Sequence, residues 1–147
     1  MRSVVSVVHE DIVKRGDDNA RVEYVELFLS QAKAIRKLGP QACDQYLDGT
    51  INIAAALPKE YAEAEQAWLI ATLKRSMRTT PKRSAGMKDS AIRESVSRIP
   101  KRFVPVIAEP DKYRGQTLRC DAVISLYESV LSLPPNLKAA ALDGMLR

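Results

Sequence analysis

Apolar residues recur along most of this chain at every third or fourth position, the spacing that holds one face of a helix against a core. In residues 19–38 the stripe is Val22, Val25, Phe28, Leu29, Ala32 and Ile35, and the run closes on "RKLGP". Basic side chains near a helix C-terminus and a glycine just past it are stop signals, so the pattern predicts an amphipathic helix there. Asp17 or Asp18 offers its N-cap, after Gly16 breaks the chain. Upstream, Val4, Val5, Val8, Ile12 and Val13 fit a helix over 3–15. Strand is the competing reading for "SVVSVV", because β-branched residues weaken a helix.

Pro40 opens a short helix, "PQACDQYLDG", which Gly49 closes, and "TINIAAALP" adds a further turn or two before Pro58. Residues 59–77 form the clearest helix, with Tyr61, Ala64, Ala67, Trp68, Ala71 and Leu73 marking its apolar side. Glu60, Glu63 and Glu65 near its start and Lys74 and Arg75 near its end complement the helix dipole, a structural reason for those charges. "KDSAIRESVSRI" is a short helix ended by Pro100, and "KRFVPVIAEPDKYRGQ", with Pro105 and Pro110, reads as an extended connection. "TLRCDAVISLYESVLSL" is apolar on more than one side and is expected at the centre. Pro134-Pro135 ends it, and "NLKAAALDGMLR" forms a terminal helix with Asn136 as its cap.

These elements predict an all-α fold, an irregular bundle of about six or seven helices. Its core is drawn from Val25, Phe28, Leu29, Ile35, Tyr46, Leu47, Trp68, Leu69, Ile124, Leu126, Val130 and Leu131. A chain of 147 residues is the size of one domain, with sub-parts 1–73 and 89–147 joined by the basic segment 74–88. Six glycines and sparse turn signals exclude a β-sandwich. No apolar run approaches the ~18–20 residues that span a bilayer. "MRSVVSVVHED" is too short for the apolar part of a signal peptide, so the chain is expected to stay where it is made.

One internal echo stands out. "CDQYLDGTINIAAALPKEYAEA" and "CDAVISLYESVLSLPPNLKAAA" both run Cys-Asp, a helical stretch, Leu-Pro and an Ala-rich helix. A duplicated helix pair would look like this, and so would two unrelated helices that both end in proline.

Charge changes the picture in one place. Residues 1–72 carry a net −3, residues 73–119 a net +9, and residues 120–147 a net −1. Residues 74–88, "KRSMRTTPKRSAGMK", hold six Lys or Arg and no acid. Such a block can steer phosphate backbones if its charges converge. It has no interleaved aromatics for base stacking, and it reads equally as a solvated joint between two helical parts.

The chemistry-bearing residues are few. His9 is the single histidine, which removes the usual base of a Ser-His or Cys-His pair and leaves no ordinary zinc site. The Glu94-Ser95 pair resembles that of lytic transglycosylases, but the glycine-rich segment that follows it in those enzymes is absent. Asp44 and Asp48, one helical turn apart, read as solvated like charges. No glycine-rich phosphate cradle is present, so no cofactor is expected. Cys43 and Cys120 leave two readings: buried thiols in a reducing cytoplasm, or one long-range bridge in an oxidising compartment.

Three functions are therefore expected in order. The first is a non-enzymatic interaction module that presents a helical surface to a protein partner or to itself. The second is a nucleic-acid or polyanion binder using Lys74, Arg75, Arg78, Lys82 and Arg83, joined by Lys101 and Arg102. The third is an extracytoplasmic domain of an envelope protein, held by Cys43–Cys120.

Overall fold

The computed structural model describes residues 18–78 and 88–146, with side chains over 18–74 and 88–146. The helix expected over 3–15, His9 and residues 79–87 lie outside the described residues. Within them the chain is all-α. The elements run α1 (Asp18–Arg36), α2 (Pro40–Leu47), α3 (Ile53–Ala56), α4 (Lys59–Arg78) and α5 (Lys88–Ser97). A 3-10 turn (Lys101–Phe103), α6 (Val104–Ala108), a second 3-10 turn (Pro110–Tyr113), α7 (Thr117–Leu131) and α8 (Pro135–Met145) complete the order. No described helix is long and apolar enough to cross a membrane.

The centre is α7. It packs against α1, α2, α5, α6, α8 and both 3-10 turns, which is why its buried residues fall on several sides, from Cys120 and Ala122 to Ile124, Leu126 and Val130. On its larger side it meets Val25, Leu29, Ala32 and Ile35 of α1 in one cluster with Ala140, Ala141 and Leu142 of α8. On the other, Ile99, Phe103 and Val106 close around Ala122. Of the expected core, Val25, Leu29, Ile35, Trp68, Ile124, Leu126 and Val130 are buried, while Phe28, Tyr46, Leu47, Leu69 and Leu131 are half-buried. Phe28 stays at the rim because it sits between two tyrosines, with ring centroids 5.4 Å from Tyr46 and 5.0 Å from Tyr127.

Three local expectations are corrected, and one of the two readings of the internal echo falls away. The segment 101–116 is not extended: Pro105 and Pro110 sit in the first turns of α6 and the second 3-10 turn, where a missing N–H costs nothing. The buried side of α4 carries Trp68 and Thr72 with Tyr61 and Glu65 half-buried, so Ala64, Ala67 and Ala71 face outward. Small alanines do not decide a face; the large indole of Trp68 does, against Tyr24 at 5.6 Å between ring centroids. The N-cap position of α8 is Pro134, which places Asn136 inside the helix. The internal echo dissolves, since its first copy divides into α2 and α3 and its second is the unbroken α7. Gly49, at φ 74°, makes that division by entering the left-handed region that other residues resist.

The last two helices lock onto the first part. α8 lies close on α5 because Gly144 has no side chain: a Cβ there would meet Ile92 Cδ1 at 2.9 Å and Lys88 Cβ at 3.3 Å. One turn of contact is ionic. Arg21 of α1 is fully buried and gives Nη1 to Asp143 Oδ1 at 2.6 Å, while Lys88 Nζ reaches Asp143 Oδ2 at 2.7 Å. Both cations pair with one carboxylate that is itself 3% exposed. Asp143→Ala should therefore destabilise the fold by about 3–5 kcal/mol, the cost of breaking a buried ion pair by removing one of its members. Urea unfolding of both proteins measures it, and a change below about 1 kcal/mol would contradict this role for Asp143.

Candidate functional site

The densest polar arrangement surrounds two sulfurs. Cys43 on α2 and Cys120 on α7 form a disulfide, with Cα atoms 5.8 Å apart and 77 positions between them in sequence. Both are buried, at 0% and 1% exposure. Each cysteine is placed by its helix: α2 starts at Pro40 and turns its fourth helical position toward α7, whose Cys120 lies one turn from its start.

The flanking residues repeat the same crossing in ionic form. Arg119 precedes Cys120 and Asp44 follows Cys43, and Arg119 Nη1 donates to Asp44 Oδ1 at 2.7 Å. Arg119 Nη2 reaches Asp48 Oδ1 at 3.2 Å, one turn along α2. Arg114 grips the same Asp48 through both terminal nitrogens, at 2.6 and 3.2 Å. The Gly115 N–H donates to Asp44 Oδ2 at 2.7 Å. Asp44 and Asp48 are thus not the solvated like charges that their spacing predicts; the second part of the chain supplies a guanidinium to each. Arg114 holds the Asp48 carboxyl below the usual carboxylate range by hydrogen bonding, with Arg119 adding to the effect and burial opposing it.

This cluster clamps α2 to α7, with its charges paired with one another. Glu94 is equally plain: it is exposed and pairs with Arg98 at 3.1 Å, and Ser95 is buried with its hydroxyl on the Ala91 carbonyl. Among the described residues, no group of three His, Cys, Asp or Glu could hold a metal ion.

The basic residues expected to form a polyanion site fall in three places. Lys74 is exposed on α4. Arg75 and Arg78 share that helix with side chains outside the described set, and Lys82 and Arg83 lie outside it altogether. Lys101 and Arg102 are exposed on the 3-10 turn that Phe103 anchors. Arg102 lines an open cleft of about 450 Å³ with Lys33, Arg36 and Lys37 from the end of α1 and with Asp121 and Glu128 from α7. Lys33, Arg36 and Lys37 were not legible as neighbours of Arg102, since 65 or more positions separate them in the chain. A second cleft, of about 420 Å³, lies between α1 and α4, with Gln31 and Tyr61 among its lining. Gln31 Oε1 accepts from the Tyr46 hydroxyl at 2.8 Å, and burial pushes that phenol up from its ordinary value.

No protein-family model, curated protein or solved structure matches this chain.

Two outcomes test the clamp. Removing the disulfide with Cys43→Ala/Cys120→Ala should lower stability by about 4–5 kcal/mol, the loop-closure term for a bridge of this span. For Asp48 the folded carboxyl titrates below the unfolded one, so its pairing contributes above the unfolded value of ~3.9 and is lost as pH falls through the folded value. Asp48→Asn should then cost stability near neutral pH and progressively less below about pH 4, read as urea midpoints across the range. A gap that does not narrow in acid would rule out the Asp48 carboxylate as its source.

Proposed function

We propose that this chain is a non-enzymatic helical interaction module that works in an oxidising compartment and presents its outer helix faces to a protein partner or to a second copy. The observation that carries the reading is the disulfide Cys43–Cys120, buried between α2 and α7 and flanked by Arg119–Asp44. Structural disulfides persist where thiols are not kept reduced, and this one ties the two parts of a modest core. The polar groups around it stabilise the clamp and leave the outside of the bundle to make contacts.

The face best suited to contact is the outer side of α4. Ile70 there is 54% exposed, in line with the outward Ala67, Ala71 and Lys74. A helix that packs along one side and carries apolar residues on the other is suited to helix-on-helix recognition.

A thiol count decides the compartment. The chain isolated from its native cells without reductant, with alkylation at lysis, should show no free thiol, and two after reduction in denaturant. Two free thiols at lysis would overturn the oxidising-compartment reading. Sedimentation at rising concentration reads self-association on the same sample, and Ile70→Glu should weaken it if the α4 face makes the contact.

A further inference from the structure

The cleft beside the end of α1 has an excess of cations that the fold does not use. Asp121 accepts from Nε and Nη2 of Arg36, and Glu128 takes Lys33 Nζ at 3.1 Å. Those pairings consume both acids of the cleft. Lys37 and Arg102 enter no ion pair among the described residues, which leaves the cleft with two unneutralised positive charges. The side-on grip of Asp121 also leaves Nη1 of Arg36 with its N–H donors unspent.

Helix-dipole complementarity explains part of this and not the rest. Lys33 and Arg36 stand in the last turn of α1, where cations offset the C-terminal partial charge. Arg102 comes from a three-residue 3-10 turn and has no such dipole to meet. Its guanidinium carbon lies 4.5 Å from the centroid of the Phe103 ring. Stacking of that kind uses the face of the guanidinium and keeps its N–H edges available as donors.

We infer that this cleft binds the dianionic phosphate group of a small organic ligand, held by Lys37, Arg102 and the free edge of Arg36. Two unpaired cations match the two charges of a phosphomonoester, and guanidinium forks suit its oxygens. The volume, about 450 Å³, is that of a small-ligand site. Phe103 and Ile124, nearly buried beneath the charges, offer an apolar floor to the body that carries the phosphate. The inference rests on reading the chain as a binding rather than a catalytic module, and it names the chemistry of one ligand.

The test has two arms, because a phosphomonoester can be a soluble metabolite or a lipid headgroup. In the first, glycerol phosphate and pyrophosphate are titrated into the full chain at low salt by calorimetry. In the second, the chain is sedimented with phosphatidylcholine vesicles with and without phosphatidic acid. Lys37→Gln/Arg102→Gln should weaken binding about tenfold or more in the responding arm, since each lost contact is a charged hydrogen bond. Lys74→Gln, equally exposed but on α4, should leave it unchanged. Both variants alter surface side chains only, and circular dichroism checks that they fold. A response in the first arm assigns a soluble ligand, and a response only with phosphatidic acid assigns a lipid. Binding in neither arm, or binding that the double variant leaves intact, overturns the inference. The thiol count is independent of either result, so loss of this site and loss of the oxidising-compartment reading can be told apart.

Discussion

The position of α2 on α7 is the constraint on which the rest of the structure depends. Cys43 and Cys120 are bonded in a buried contact, and the residues beside them, Asp44 and Arg119, make the same crossing through a 2.7 Å ion pair. Covalent closure restricts the unfolded chain, whereas the ion pair acts only in the folded one, where low exposure strengthens it and raises the cost of losing either partner. Their adjacency means that the helix register which forms one also forms the other. With α2 held there, α7 has α1 and α8 on one side and the 3-10 turns with α6 on the other.

Charge is distributed to serve that docking. Residues 73–119 are strongly basic and residues 1–72 net acidic, and the folded chain sets parts of one against the other. Arg114 and Arg119 neutralise Asp48 and Asp44, and Lys88 shares Asp143 with Arg21. Part of the apparent excess of cations is therefore internal glue. Among the described cations that pair with no acid, Lys37 and Arg102 line one cleft whose acids are already engaged. A basic net charge by itself does not distinguish these cases, because the distinction depends on which cations have found a partner.

Much of the helical order could be read directly from the chain. The α1 stripe, the stop at Gly39-Pro40, the break at Gly49 and the central place of α7 all follow from periodicity and turn residues, which act within a few positions. The misreadings share a cause. The prolines of 101–116 suggested an extended chain, yet a proline in the first turn of a helix is tolerated, and Phe103 and Val106 gain burial against Ala122 by coiling. The alanines of α4 suggested its inner face, but an alanine buries too little surface to outweigh Trp68.

The sequence alone determined the class of the fold and the approximate ends of the longer helices, because those depend on residue type and short-range spacing. It left open whether Cys43 and Cys120 pair and which cations converge, and its spacing misread Asp44 and Asp48 as solvated. Those were decided by the tertiary structure alone. Each depends on the docking of elements more than 60 positions apart, and the energy that selects a docking comes from burial and pairing summed over the whole interface, which no local stretch of sequence contains.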